Sequence, residues 1–334
     1  MDIARYDEEY RKVAGAIKDA DCVVINGEGS IVFTSPPRHE VLFQMMIIEL
    51  AADHYRKPVF YINALASDCP VSGRDLESVQ FISRVLEKCA AIALRDPESE
   101  RIMREILPNQ KIYCIPDALF YWQKRVKEYI EMIPPNGNML LPRGEADDCQ
   151  YDTLRFDRPY ICIGRSSLAA WEPERSIEPY INLIYEVKKI GLTVYLFISC
   201  SGDTLLRKVA EMTGTPFIPL QTPVVAATAI LANAKVVISG RFHPSIMASL
   251  NGTPCIFLSA NAHKSNSLQK MLGYQNNEVF SVRPDTNEIK KISDLAKEYL
   301  RKGEGLRKEI MSTVRKYADN TSALLSIIDN ANTK

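Results

Sequence analysis

Apolar residues along this chain follow two rhythms that alternate. Residues 2–20 set Ile3, Tyr6, Tyr10, Val13 and Ile17 three or four positions apart, the spacing of one helical face. Short unbroken apolar runs follow: "CVVING" at 22–27, "PVFYIN" at 58–63, "AAIAL" at 90–94 and "IYCIP" at 112–116. Runs that do not alternate with polar residues predict strands covered on both faces, as in a parallel sheet. Helix-spaced stretches separate them, at about 39–55, 74–89 and 97–106. Residues 134–158, "PPNGNMLLPRGEADDCQYDTLRFDR", mix proline, glycine and charge without a steady period and predict an inter-domain linker.

Beyond it the alternation resumes. Strands are expected at "YICIG", "TVYLFIS", "FIPL", "KVVIS", "CIFLS" and, at 279–282, "VFSV". Helices are expected over 176–190, ended by Gly191, then from Pro223, from Pro244, and over 288–301 and 304–330. This order predicts an α/β chain of two doubly wound parallel-sheet domains, 1–133 and 159–334, joined by 134–158, with a cleft between the carboxyl ends of their sheets.

Composition narrows the function. The 334 residues carry 41 basic and 41 acidic side chains, so no basic excess exists to bind nucleic-acid phosphates. The eight cysteines, at 22, 69, 89, 114, 149, 162, 200 and 255, form no CxxC pair, which argues against a zinc ribbon or a redox dithiol. Cys22, Cys114, Cys162, Cys200 and Cys255 lie in or beside apolar runs and read as buried free thiols of a reducing compartment. The charged, amphipathic start is no secretory signal, and no apolar run nears the roughly 20 residues of a membrane helix. A cytoplasmic location is the expectation.

Ligands of open α/β sheets bind where strands end, so residues just after strands are the candidates. Arg241 and His243 follow "KVVIS" two residues apart and point the same way if the chain is still extended. Pro244 then opens a helix, whose first N–H groups favour an anion. A guanidinium, an imidazole and a helix start suit a phosphate or carboxylate, and the histidine suits proton transfer. The same spacing also suits an arginine–carboxylate pair with a histidine capping the helix. Arg165 follows the first strand of the second half, and Lys264 follows "CIFLS". His263 reads as exposed and inert.

In the first half, Asn26, Gly27, Glu28, Gly29 and Ser30 read as a glycine-bearing loop after a strand, with Glu28 a candidate acceptor for a sugar hydroxyl. Arg95 and Asp96 end the third strand and Asp117 the fourth; Asp96 reads chiefly as a helix N-cap. No GxSxG, HExxH or P-loop pattern occurs, and His54 reads as structural. The acidic pair at 147–148 lies in the linker, so no metal and no cofactor is called for.

At these residues the chain resembles the polysaccharide pyruvyl transferases. "DCVVINGEGSIV" is similar to their strand and Gly-rich loop, and "AAIALRDPESERIMRE" to their strand, Arg-Asp and helix. "IYCIPDALF" resembles their Asp-Pro-x-Phe segment with alanine in place of proline. "VVISGRFHPSIMASLNGTPCIFL" resembles their Arg-x-His segment, with Lys264 where the family places a lysine. The resemblance implies two facing Rossmann-like domains of the GT-B kind. It implies transfer of pyruvate from phosphoenolpyruvate to two hydroxyls of a sugar or lipid-linked oligosaccharide, as a cyclic ketal. On that reading Arg165, Arg241 and Lys264 bind the donor, and His243 and Arg241 are catalytic. Asn26, Gly27, Glu28, Gly29, Ser30, Arg95 and Asp117 meet the acceptor, and a lipid-linked acceptor would bring the protein to a membrane surface. The chain departs from the family by opening in a helix, so its first domain is expected to lack the usual first strand. The segment "TPVVAATAILANA" lacks the acidic residue with which nucleotide-sugar enzymes of this architecture often hold a ribose. A GT-B glycosyltransferase and a non-catalytic glycan- or anion-binding relative are the other readings.

Overall fold

The computed structural model of the protein describes residues 8–142, 151–171, 173–275 and 277–332. Cys149 and the acidic pair at 147–148 lie outside them, as do Ile3 and Tyr6 of the expected first helix. The chain divides into two compact units, Met1–Ala118 with Asn320–Lys334, and Leu119–Asp319. These bounds differ from the expected 1–133 and 159–334: the last segment packs with the first unit.

The first unit runs α1 (Glu8–Asp19), β1 (Val23–Phe33), α2 (His39–Glu49), β2 (Val59–Asp68), α3 (Leu76–Leu86), β3 (Ala91–Leu94), α4 (Pro97–Ile106) and β4 (Ile112–Cys114). A π-helical turn, Leu50–His54, extends α2, and the His54 ring packs edge-on to Tyr55. The four strands are parallel and lie in the order β1-β2-β3-β4. Successive side chains of a strand point to opposite faces, so both faces here need an apolar cover. Tyr61 and Ile92 pack on one face with Val41, Met45, Ile82 and Ile102. Phe60, Ala91 and Ala93 pack on the other with Ile115, Leu324 and Ile327. The last two belong to the final helix, so both faces are covered.

A 3-10 stretch, Ala118–Arg125, leads into the second unit, followed by a short helix, α5 (Val126–Ile130), and an antiparallel pair, β5 (Asn138–Pro142) and β6 (Tyr151–Arg155). The described part of the expected linker therefore forms an antiparallel ladder, in which Met139 and Leu141 are buried. Then come β7 (Tyr160–Ser166), α6 (Ile177–Lys188), β8 (Thr193–Phe197), α7 (Leu205–Thr213), β9 (Phe217–Ile218), α8 (Val224–Asn233), β10 (Val236–Gly240), α9 (Phe242–Ser249), β11 (Cys255–Phe257), α10 (Lys264–Met271) and α11 (Thr286–Asn320). α12 (Ala323–Asn332) is the final helix. Gly303 breaks α11 at positive φ, which divides it close to where two helices were expected. The expected strand at 279–282 reduces to one bridge, Leu258 with Phe280. The five strands β11-β10-β7-β8-β9 form a parallel sheet whose core includes Ile161, Ile163, Leu196, Val237, Ile238 and Phe257.

Among the described residues, seven cysteines are free thiols. Cys162 and Cys255 are buried as expected, Cys22 and Cys200 are half-buried, and Cys114 is exposed, because β4 is an edge strand. Among the described residues, no helix is long and apolar enough to cross a membrane, and no group of three His, Cys, Asp or Glu side chains is placed to hold a metal ion.

Candidate functional site

The sheet of the second unit reverses its direction of growth between β7 and β10. From β7 the chain builds outward through β8 to β9, then crosses back and builds the other way through β10 to β11. Loops leaving the strands at such a switch point diverge, and the space they leave is where open α/β sheets bind ligands. Arg165 lies at the end of β7 and Arg241 directly after β10. The two strand ends approach closely because Gly240 lacks a side chain: a Cβ there would stand 2.5 Å from the Ser166 Cβ and 2.9 Å from the Leu258 carbonyl oxygen. Ser239 Oγ joins them, donating to the Arg165 carbonyl at 3.2 Å and accepting from the Arg241 N–H at 3.0 Å.

Arg165 is buried. Its Nη1 donates to the Gly202 carbonyl and its Nη2 to the Ala169 carbonyl, each at 2.6 Å. Its Nε has no hydrogen-bonded partner among the described residues. Burial lowers the guanidinium pKa from its ordinary value; the nearby Tyr180 and Asp203 oppose that shift and Arg241 reinforces it. Burial likewise raises the Tyr180 phenol, and its hydroxyl donates to the Gly164 carbonyl at 3.4 Å.

Arg241 does not stand as a bare cation. Its Nε and Nη2 both donate to Oδ1 of Asp203, at 3.1 and 2.6 Å. Oδ2 of Asp203 accepts from the Ser199 N–H at 3.1 Å and its hydroxyl at 2.7 Å. The Asp203 side chain is 0% accessible and that of Arg241 16%. The arginine–carboxylate pair, one of the two readings open for Arg241, is thus the one that forms. A donor site made only of unmatched cations is not what the structure holds: Asp203 offsets one of the two guanidinium charges. Asp203 was not among the sequence candidates. "CSGD" follows β8, and the strand-end rule applied to β8 points to it.

His243 is the second residue of α9, half-buried, with its ring edge-on to Phe242 at 5.5 Å between centroids. The N-cap of α9 is Arg241, and no side chain caps it, so His243 is not the cap. Lys264 is half-buried at the start of α10. The loop leading to it is tied to the loop after β7: Ser166 Oγ donates to the Ser259 carbonyl, and Ser167 Oγ donates to Asn261 Oδ1 at 2.8 Å and accepts from the Asn261 N–H at 3.2 Å. His263 is half-buried rather than exposed.

The first unit departs further from expectation. Asn26–Ser30 is no loop: β1 continues through it to Phe33, with a bulge between Glu28 and Ile31. Glu28 and Asn63, on neighbouring strands, both have positive φ, 42° and 53°. Asn63 Nδ2 donates to Asn26 Oδ1 at 3.1 Å, and its Oδ1 accepts from the Ala118 N–H at 3.0 Å. Gly27 is buried, and a Cβ there would lie 2.6 Å from both Ala64 and the Tyr61 ring. Ser30 Oγ accepts from Gln44 Nε2 at 3.1 Å. Arg95 and Asp117 pair at 3.1 Å with 1% and 2% of their side chains accessible, so they are closed off from an acceptor. Asp96 caps α4, accepting from the N–H groups of Glu98 and Ser99. Of the acceptor candidates, Asn26 and Glu28 are exposed.

Compared with known families, residues 2–261 match the one described as polysaccharide pyruvyl transferase. The chain belongs to that family. The matched span includes Arg165, Asp203, Arg241 and His243 and ends before Lys264. No curated protein sequence matches the chain. Solved structures resemble this family member in fold. S. aureus TarM, in complex with fondaparinux, alpha-GlcNAc-glycerol and UDP, aligns at a TM-score of 0.51 and 11% identity, over 84% of this chain and 52% of its own. The chain thus spans about half the length of that protein. Arabidopsis thaliana UGT89C1 complexed with UDP-L-rhamnose aligns at 0.57 and 11% identity, over 99% and 76%. UDP-GlcNAc 2-epimerase from Neisseria meningitidis, bound to UDP-GlcNAc, aligns at 0.55 and 11% identity, over 97% and 81%. At such identities the likeness establishes the fold, that of the GT-B glycosyltransferases and related epimerases, with Rossmann-like units.

Proposed function

We propose that the protein transfers pyruvate from phosphoenolpyruvate to two hydroxyls of a sugar in a cell-surface polysaccharide or its precursor. The observation that carries this is Arg241 at the switch point, partly open to a ligand and backed by Asp203, with His243 in the helix that follows; Arg165, expected to bind the donor, is instead buried with both Nη groups on backbone carbonyls and adds its charge from behind. Phosphoenolpyruvate bears a carboxylate and a phosphate within a few atoms, and guanidinium groups grip such oxyanions. Lys264, at the start of α10, adds a further cation. The methylene carbon of the donor takes a proton and becomes a methyl group, which makes the adjacent carbon electrophilic. One sugar hydroxyl adds there, the carbon–oxygen bond to phosphate breaks, and the second hydroxyl closes the ketal. Of the two hydroxyl protons, one balances the new methyl group and the other leaves with inorganic phosphate. His243 is the proton donor to the methylene carbon or the base for the attacking hydroxyl. The cations stabilise the charge that develops on the leaving phosphate. Asn26 and Glu28 present polar groups to the acceptor. The free thiols suit a reducing compartment, and we place the reaction in the cytoplasm.

One observation favours a second reading, a glycosyltransferase: the solved structures of similar fold hold UDP or a UDP-sugar. Thermal shift separates the two, since a ligand that binds only the folded state raises the melting temperature. Phosphoenolpyruvate is expected to give the larger shift and, with a suitable sugar, to release phosphate. Arg241→Ala is expected to lose most of the shift while keeping weak, measurable binding, and His243→Ala to keep it while losing phosphate release. A larger shift with UDP would replace the proposal with the second reading. Phosphoenolpyruvate binding without phosphate release on any sugar would point to a non-catalytic relative.

A further inference from the structure

The loop after β8 touches both arginines of the rim. Gly202 accepts from Arg165 through its carbonyl, and Asp203 accepts from Arg241 through its carboxylate. Resting on the donor-site reading above, we propose that Asp203 is a positioning residue: it orients the Arg241 guanidinium for the anion and makes no contact with substrate itself. Its side chain is wholly inaccessible, so it is closed to a ligand. One carboxylate oxygen is taken by Nε and Nη2 of Arg241, the other by the N–H and hydroxyl of Ser199. A carboxylate held from behind in this way fixes the plane of the guanidinium. Nη1 lies outside the pairing and, among the described residues, has no hydrogen-bonded partner. The arrangement holds the arginine fork in one geometry before the anion arrives, which lowers the ordering cost of binding. It also explains why a carboxylate is tolerated at an anion site: buried, it acts on the arginine at contact distance and on the ligand only through it.

The chemistry of asparagine makes the test sharp. In Asp203→Asn one side-chain oxygen becomes an NH2 group, which must face either Arg241 or Ser199 N–H, both donors. One of the two anchors is lost with almost no change in volume. Binding of phosphoenolpyruvate, and separately of inorganic phosphate, would be measured by titration calorimetry on the full chain for the wild type, Asp203→Asn, Arg241→Ala and the double variant. Melting temperature without ligand would be recorded for each. Asp203→Asn is expected to weaken binding by about tenfold, as loss of a charged hydrogen bond does. Ser199→Ala, which keeps the backbone donor, is expected to weaken it by roughly threefold. On the Arg241→Ala background, Asp203→Asn is expected to change affinity by less than about twofold, since residues that act through one another are not additive. An undiminished further loss on that background, or wild-type affinity in folded Asp203→Asn, would overturn the positioning role. If Asp203→Asn proves unfolded, Arg241→Lys, which keeps the charge but cannot take the same two-nitrogen grip, carries the test: it is expected to bind about tenfold more weakly, and unaltered binding would overturn the role. Failure of phosphoenolpyruvate alone to bind the wild type would sink the donor assignment, while the cycle with phosphate still decides the role of Asp203. Failure of both anions to bind would sink both.

Discussion

Each unit carries an arginine–aspartate pair that joins the ends of two strands, and the two pairs are built for different ends. Arg95 and Asp117 link the ends of β3 and β4 in the first unit, with 1% and 2% of their side chains accessible. Arg241 and Asp203 link the ends of β10 and β8 in the second, and there the aspartate is sealed while 16% of the arginine stays open. A closed pair can only hold its own fold together. A pair closed on the carboxylate side and open on the cation side can also meet a ligand. The sheets explain the difference. The first grows in one direction, β1 to β4, so its strand ends pass from neighbour to neighbour. The second reverses between β7 and β10, and its arginines stand beside that reversal.

The largest expected effect tests the closed pair. Arg95→Ala leaves Asp117 buried without its cation and should cost roughly 3–5 kcal/mol in a urea unfolding experiment. Arg241→Ala should cost less, about 1–3 kcal/mol, because water can reach the vacated, partly open space. A reversed order would break the comparison. Next come the glycines that let strands approach. Gly240→Ala and Gly27→Ala should each destabilise by roughly 1–3 kcal/mol through overpacking. Only Gly240→Ala should also weaken anion binding, because it displaces Ser166 at the rim; equal weakening by both would blur the division of roles. Asp96→Ala removes the cap of α4 and should lower stability by about 1–2 kcal/mol, with donor binding unchanged in calorimetry. The smallest effect is expected at Gly303, where alanine must take positive φ: roughly 1 kcal/mol, seen as a fall of a few degrees in melting temperature.

Much of the frame could be read from the chain itself. Buried parallel strands are apolar on both faces, so "AAIAL" and "YICIG" announce themselves, and the proline after Asp96 marks the start of α4. Arg165 and Arg241 were legible because each follows such a run. Asp203 was not, since nothing in "CSGD" says that its carboxylate turns inward; only the position of β8 beside β7 decides that. Asn26–Ser30 misled for a related reason. Glycine beside a charge reads as a turn, yet Gly27 is required where the Tyr61 ring and Ala64 press on the strand. "VFSV" has the composition of a strand but pairs at one residue only. The antiparallel pairing of Asn138–Pro142 with Tyr151–Arg155 hid because Leu140 is exposed between two buried neighbours, which erases the alternation that marks a one-sided strand.

α12 gives the first unit its second face, through Leu324 and Ile327 against Phe60, Ala93 and Ile115. Those partners are separated along the chain by the whole of Leu119–Asp319. On the ribosome, the first sheet therefore emerges early with one greasy surface bare, and it stays bare until some two hundred more residues have been made. The first sheet cannot close that face until α12 is available, so completion of the first unit waits on a segment that the whole second unit separates from it.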